Sequence, residues 1–560
     1  MSLVLPRPRR LGLVDGASRV RERLASLAIG QELLTLLIAV HFSSTANLAF
    51  FAKVADTGAL AGAGGLGFGL ALFVAITALN WLLLLVVVNR WTAKPVLAVL
   101  LVATALAAHF MNRYTVYLDP DMVRTILHTD FKESSELISF GLVPPLLVFG
   151  VLPAIVVWHL ESPRRTWPRA VMIRAAAIAT AVALAAGAIA LTYQPLASLM
   201  RNHRELRYLI TPGNYLVSLA SVAKGKTQQG PRVPIGLDAH VVGRLATRPR
   251  LLVLVVGETA RAQNWGLNGY DRQTTPRLAA RRDVVNFPDA TACGSATEVS
   301  LPCMFSPWGR RAYDERRIKR SQGLLHVLEH AGIHTLWRDN QTGCKGVCDG
   351  LAFESYEHAN VPGDCDAQGC LDAVLLHDLA DAVARQPGDQ VVVLHQLGNH
   401  GPAYWKRYPP QFERFGPVCR SVDLSRCTRE QIVAAYDNAI LYTDDLLANA
   451  IALLEGMPDR DTGLIYLSDH GESLGEHGIY LHGVPYGIAP ATQTRIPMVA
   501  WLSPGFARSR GIDMDCLRQR ARRPVSQDNL FHSVLGLLQV RTRERVPQLD
   551  LFAPCERGAG

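Results

Sequence analysis

The chain has 560 residues, 49% hydrophobic and only 19% charged, with a formal net charge of +9. That length exceeds one compact domain. The balance is too apolar for a disordered chain and too polar for membrane spans throughout, so single-domain soluble and fibrous classes are excluded.

Taken in chain order, the first ~200 residues carry the apolar excess. Nearly charge-free runs at 33–52, 66–88, 95–110, 141–160 and 175–200 approach or exceed the ~20 residues a helix needs to cross a bilayer, the third being the shortest. The first run is too long for a cleavable signal peptide and four more follow it. Arg7, Arg9, Arg10, Arg19, Arg21 and Arg23 precede the first run. Arg90 and Lys94 follow the second, and Arg164, Arg165 and Arg169 follow the fourth, whereas the loop after the first holds only Lys53. Five spans with the basic loops inside place the N-terminus in the cytoplasm and everything after Met200 outside. Much of the net positive charge is spent on those loops, so no nucleic-acid partner is expected. The stretch 122–140 reads as an amphipathic segment on the outer membrane face. Residues 201–234 read as an amphipathic connector and a Gly/Gln/Lys/Pro-rich linker, which leaves 1–200 as the membrane domain and 235–560 as the exported one.

All ten cysteines lie between Cys293 and Cys555, as close neighbours: Cys293/Cys303, Cys344/Cys348, Cys365/Cys370, Cys419/Cys427, then Cys516 and Cys555. An even number confined to the polar half reads as disulfides in an oxidising compartment, and the spacings do not make the paired CxxC of a zinc ribbon. This agrees with the orientation argument, which used different residues.

Within the exported half, apolar runs at 251–256, 391–394, 464–467 and 496–502 alternate with helical patterns at 323–331, 371–385 and 431–454. That alternation predicts an α/β/α sandwich around a mostly parallel sheet, with chemistry beyond the carboxyl ends of the strands. After the first run comes Gly257-Glu258-Thr259-Ala260-Arg261, and after the third Ser468-Asp469-His470-Gly471-Glu472. Alone, Glu258 reads as a helix cap and Asp469-His470 as a turn. Together at strand ends they read as a metal site. Between them, Thr291, Ser295, Thr297 and Ser300 are hydroxyls that a dication could activate as a nucleophile, and the residues alone do not choose among them. His400 and His482 sit among Gly and Pro in loops at the same face, and Lys345, inside Cys344–Cys348, is a cation suited to a phosphate.

These motifs resemble the bacterial phosphoethanolamine transferases that modify lipid A, a membrane-anchored branch of the alkaline phosphatase/sulfatase superfamily. The resemblance rests on 257–261, on Cys293-Gly294 through Pro302-Cys303, and on Lys345-Gly346-Val347-Cys348-Asp349. Asn399-His400-Gly401-Pro402 and Ser468-Asp469-His470-Gly471-Glu472-Ser473 complete it. It implies metal ligands at Glu258, Thr297, Asp469 and His470, with Thr297 the nucleophile. Lys345, His400, Glu472 and His482 would surround the phosphoryl group, with His400 or His482 protonating the leaving group. The family's asparagine before that lysine falls on Asn340 or is displaced to Gln341. It further implies one zinc site with room for a second (manganese also suits the donors), phosphatidylethanolamine as donor, lipid A as acceptor, a monomer, and a bacterial inner-membrane protein with a periplasmic catalytic domain. Masking a lipid A phosphate would weaken binding of cationic peptides such as polymyxin.

Two departures stand out. The usual Cys-Gly-Thr is Cys293-Gly294-Ser295. The usual Asn-Val-Leu-Glu-Thr-Asp-x-x-Glu is Thr125-Ile126-Leu127-His128-Thr129-Asp130-Phe131-Lys132-Glu133, so a lipid-contacting Asn becomes Thr125 while Glu133 is retained as a substrate contact. Against a sulfatase, neither Cys303 nor Cys365 begins a Cys-x-Pro/Ala-x-Arg pattern. Transfer to an inner-core sugar, a phosphoglycerol transferase or phosphohydrolase, and a non-catalytic membrane sensor are the other readings.

Overall fold

The computed structural model describes residues 28–62, 64–129, 137–226, 232–243, 248–356, 359–366, 369–557. The fold is that expected: an α-helical membrane part followed by an α/β/α part. By compactness the chain forms two units, one of 1–119 with 140–219 and one of 120–139 with 220–560.

In the first unit, α1 (Gln31–His41) and α2 (Leu48–Asp56) are joined through a π-helical turn, Phe42–Ala46. They bend by 50° where the sequence predicts one continuous span. The break sits at Asn47, whose buried amide nitrogen donates to Phe42 O and Thr211 O (both 2.9 Å) while its oxygen accepts from Thr211 N. A backbone freed inside an apolar layer must be re-satisfied, and Asn47 does this. Next come α3 (Gly65–Val87), α4 (Ala93–Tyr114), the stretch Phe140–His159 and α6 (Trp167–Leu191). Among the described residues these four are long and apolar enough to span, and the bent pair makes a fifth if its two helices are counted as one span.

The last span differs from the expected 175–200. It starts at Trp167, ends at Leu191, and gives way to a separate helix, Tyr193–Asn202. Arg174 does not end it, because its guanidinium donates to Val88 O (2.7 Å), Leu85 O and Gln31 Oε1 (3.2 Å). A cation on the otherwise orphaned carbonyls at the end of α3 is favourable, so charge is no bar there.

In the second unit, α5 (Pro120–His128) packs on the α/β domain. Arg124 pairs with Asp121 (2.7 Å) and Glu315 (2.6 Å), and His128 Nδ1 lies 3.2 Å from Glu298 Oε2. The domain is built on an eight-stranded sheet: β1 Arg250–Gly257, β2 Val285–Thr291, β3 His334–Asp339, β4 Ala352–Ser355, β5 Gln390–His395, β6 Asp461–Ser468, β7 Arg495–Leu502 and β8 Val525–Ser526. Their order across it is β8-β2-β7-β6-β1-β5-β3-β4. Every pairing is parallel except those of β7 with β2 and β6.

The central β1 is buried along its whole length, as a strand covered on both faces must be. Its side chains alternate between two cores. Leu251, Val253 and Val255 join the core that includes Ile432, Tyr436 and Ile440 of α9 (Arg429–Glu455). Leu252, Leu254 and Val256 join the one that includes Leu324 and Leu328 of α8 (Leu324–His330) and Phe531 and Leu535 of α10 (Asp528–Leu537). Between β2 and α8 lies α7 (Thr297–Met304). The cysteines pair as 293–303, 344–348, 365–370, 419–427 and 516–555, the neighbour pairs of the sequence.

Candidate metal centre and nucleophile

β1 and β6 are hydrogen-bonded parallel neighbours in a register that sets Gly257 beside Ser468, so Glu258 and Asp469 emerge side by side at the carboxyl edge. β5 is the other neighbour of β1, and its loop brings Gly398 against Glu258. Gly398 has φ +56°, and a Cβ there would lie 2.7 Å from Glu258 O, so that close approach requires glycine.

Asp469 Oδ1 accepts from His470 N (2.7 Å) and Thr259 N (3.2 Å), which fixes the carboxylate. Its Oδ2 is buried, accepts no hydrogen bond, and lies 3.2 Å from His470 Nε2. His470 Nδ1 is 2.9 Å from Gly471 O. A carbonyl only accepts, so the ring proton sits on Nδ1 and Nε2 presents a lone pair. That lone pair faces Asp469 Oδ2 and also Glu258 Oε1, 3.5 Å away. Burial pushes the imidazole pKa down, which favours this neutral form. Buried acceptors aimed at one another repel unless a cation lies among them, so the donor set fits a dication. Glu258, Asp469 and His470 offer ligand atoms that all lie within 4.8 Å, and Glu258, His400 and His482 form a second such group.

Thr297 opens α7, and its hydroxyl lies 3.0 Å from Glu258 Oε2 and 3.2 Å from His470 Nε2. It is half-buried and therefore reachable. A helix N-terminus also favours an anion at this position. Of the other hydroxyls, Ser295 donates to Val484 O, Thr291 ends β2, and Ser300 Oγ is buried.

The remaining expected residues fall into two groups. His482 Nδ1 donates to Glu472 Oε2 (2.8 Å), and Glu472 Oε1 accepts from Tyr404 (2.7 Å), so both Glu472 oxygens are occupied behind the ring. The His482 ring centroid is 4.4 Å from that of His470 and 5.5 Å from that of His400. Burial, then the neighbouring His482, holds the His400 imidazole well below its ordinary pKa, so its neutral form prevails. Lys345 and Asn340 bond elsewhere: Lys345 Nζ donates to Thr342 O (3.0 Å), and the Asn340 amide donates to Asp372 Oδ1 (2.8 Å) and Cys370 O. Gln341, next along, donates to Glu258 Oε2 (2.8 Å). Glu133 lies outside the described residues.

Four supports were not foreseen from the sequence. Asp339 accepts from Gln341 N, Gly343 N and the His395 ring, which fixes the turn that carries Gln341. Asp372 accepts from Leu397 N and Gly398 N, which holds the His400 loop. Gln527 donates to Ser468 O and Asp469 O and accepts from Cys293 N, tying the nucleophile loop to the end of β6. Tyr436 donates to Thr259 O from α9.

A mostly parallel sheet with a carboxylate–histidine cluster at its carboxyl edge and a threonine hydroxyl against it defines an alkaline phosphatase/sulfatase-like site. The sulfatase family matches residues 250–540, and phosphoethanolamine transferase EptA/EptB matches residues 76–227. Phosphoethanolamine transferase EptA of Escherichia coli (strain K12) is 40% identical over 529 residues, 93% of this chain and 96% of that protein. Phosphatidylethanolamine transferase Mcr-1 of Escherichia coli is 37% identical over 480 residues, 83% of this chain and 88% of its own. Among solved structures, the integral membrane lipooligosaccharide phosphoethanolamine transferase A of Neisseria meningitidis superposes with a TM-score of 0.91 at 36% identity. It covers 95% of this chain and 100% of that one. The chain belongs to the EptA phosphoethanolamine transferase family, a membrane-anchored branch of the alkaline phosphatase/sulfatase superfamily.

Proposed function

We propose that this protein transfers phosphoethanolamine from phosphatidylethanolamine to a phosphate of lipid A, through a covalent phosphoethanolamine–Thr297 intermediate. The observation that carries the reading is the half-buried Thr297 hydroxyl at a helix N-terminus, 3.0 Å from Glu258 and 3.2 Å from His470. Family membership supports the donor and acceptor classes, since relatives named for phosphoethanolamine transfer cover nearly the whole chain.

Glu258, Asp469, His470 and Thr297 would hold zinc, whose usual donors are oxygen, imidazole nitrogen and thiolate. Bound there, it supplies Lewis acidity that lowers a hydroxyl pKa and offsets phosphoryl charge. Thr297 Oγ attacks the donor phosphorus, the Oγ–P bond forms, and the P–O bond to diacylglycerol breaks. His482, backed by Glu472, gives the departing oxygen its proton, which balances the one Thr297 loses. His400, whose neutral form prevails, is less suited to that proton delivery. In the second half-reaction a lipid A phosphate oxygen attacks the same phosphorus, its proton passes to His482, and the Oγ–P bond breaks to return Thr297. Gln341 takes the amide role assigned by position to Asn340, and Lys345 meets the phosphoryl oxygens on swinging from Thr342.

Both substrates are lipids, which accounts for the membrane unit. The basic loops support a cytoplasmic N-terminus and a periplasmic catalytic domain in the inner membrane. The five disulfides support the same compartment. Masking a lipid A phosphate would lower polymyxin binding. The protein acts as a monomer.

The test is mass spectrometry of lipid A from cells expressing the chain and its Thr297→Ala variant. A phosphoethanolamine increment is expected with the first only, a loss of at least about 10³-fold. An increment that persists in Thr297→Ala removes the proposed nucleophile, and an increment confined to core sugar removes the proposed acceptor.

A further inference from the structure

Two segments of the first unit depart from α-helical geometry in the same way. Phe42–Ala46 and Leu147–Val151 are both π-helical turns. Such turns are rare and recur at functional sites. Both border one cavity of about 520 Å³, and His41 Nε2, 2.9 Å from Phe149 O, ties one to the other. The volume lies in the range of small-ligand sites.

The cavity's chemistry is divided. Ser44 donates to Val40 O (2.8 Å) and Thr45 to His41 O (2.6 Å), so both hydroxyl protons are spent on carbonyls. What those oxygens offer the cavity is lone pairs, which suit an ammonium. On the α4 wall stand Asn112 and Arg113, in the last turn of that helix. Arg113 supplies the cation that matches a phosphate. The rest of the wall is apolar, as at Ala108 and Phe149. Polar and ionisable groups at membrane depth are rare and mark binding or transport sites, and here they gather around one cavity.

We infer that this cavity binds the zwitterionic headgroup of an ethanolamine phospholipid, with the ammonium toward Ser44 and Thr45 and the phosphate toward Arg113. The inference rests on the functional reading above, because that reading makes such a lipid the donor. On the orientation proposed there, the first span, α4 and the Phe140–His159 span all contribute their outer halves. The cavity then opens at the depth of outer-leaflet headgroups. Phosphatidylglycerol has the phosphate but no ammonium, and diacylglycerol has neither, so the site separates the donor from its product and from the common anionic lipid.

The experiment uses the full chain in detergent, in a Thr297→Ala background so that no lipid is consumed. Native mass spectrometry follows retention of phosphatidylethanolamine and phosphatidylglycerol of matched acyl chains, offered in equal amounts. Phosphatidylethanolamine should be retained about tenfold better, Arg113→Gln should cut its retention about tenfold, and Thr45→Val should bring the two lipids toward equality. Thr45→Val keeps the side-chain volume, and far-UV circular dichroism with elution volume checks that each variant is folded. Equal retention of the two lipids, or a preference untouched by both substitutions, overturns the proposal. A preference that depends on Arg113 and Thr45, when the parent chain with Thr297 intact yields no modified lipid A in cells, supports the cavity and sinks the functional reading instead.

Discussion

The two sides of the site hold their side chains differently. On the metal side, Glu258 and Asp469 leave adjacent strands whose register is set over eight residue pairs, and Asp469 is clamped by two backbone amides. On the histidine side, His482 and His400 ride on loops. His482 is aimed by Glu472, which Tyr404 holds, and the His400 loop is pinned by Asp372. One side is fixed by the sheet, the other by a relay of side chains. A substitution behind the first should therefore matter little unless it removes a ligand, whereas substitutions behind the second should be felt at the chemistry in graded amounts.

The largest effect that breaks this comparison is Asp469→Asn. It keeps shape but removes the charge that faces His470, so metal content measured by elemental analysis should fall and transfer should drop by more than about 100-fold. Retained metal with full activity would mean that this corner is not the metal site. Next comes His482→Ala, with an expected loss of about 10²–10³-fold on a lipid donor. Glu472→Gln, which keeps the ring but weakens its orientation, should cost about 10–100-fold. With a nitrophenyl ester of phosphoethanolamine, whose leaving group needs no proton, the His482→Ala defect should shrink to a few-fold. A defect of equal size on both substrates would assign His482 to binding. Smaller still is the contrast between Gln341→Ala and Asn340→Ala. The first removes an amide from Glu258 and should lower transfer about tenfold, whereas the second loosens the Asp372 scaffold and should lower the melting temperature more than the rate.

How much of this could be read from the chain alone follows from the same division. Long apolar runs announced the spans, and 251–256, 391–394, 464–467 and 496–502 lie within β1, β5, β6 and β7. Strand-end motifs belong to strands that read plainly, so Glu258, Asp469 and His470 could be grouped before any geometry was known. β2 and β3 could not be read, because Val-Asn-Phe-Pro-Asp-Ala-Thr and His-Thr-Leu-Trp-Arg-Asp carry polar residues where a buried strand is expected to be apolar. Their polar groups have partners only in the folded chain: Trp337 donates to Asp339, and Arg338 to Glu354 and Leu375 O. The choice between Asn340 and Gln341 depended on how far the chain turns after β3. The backbone amides of Gln341 and Gly343 on Asp339 set that turn, and no spacing encodes them. The supports Asp372 and Gln527 act across 26 and 234 residues, beyond any local pattern. Composition likewise missed the true start of the last span, since the charge-free run begins only after Arg174, which lies inside the helix and caps α3.

The smallest expected effect tests whether the relay on the histidine side contributes stability as well as aim. Glu476 follows four residues after Glu472. Its Oε1 accepts from Arg261 (2.7 Å) and Arg429 (2.9 Å), and its Oε2 from Leu474 N (2.7 Å). Arg261 itself follows Glu258 and also donates to Glu472 O, so this carboxylate links the segments that leave β1 and β6. Burial alone would raise the Glu476 pKa, but Arg261 and the backbone amides outweigh it and hold it at about 2, against an ordinary 4.5. A carboxylate whose folded pKa lies below its unfolded one stabilises the fold above the unfolded value, and that contribution is lost as pH falls through the folded value. Glu476→Gln should therefore lower the melting temperature of metal-depleted protein by about 2–4 °C at pH 7. The gap from the parent should close as pH falls from 4.5 to about 2. A gap that stays constant over that interval would mean that Glu476 acts through packing, and the link between the two strand ends would then not be electrostatic.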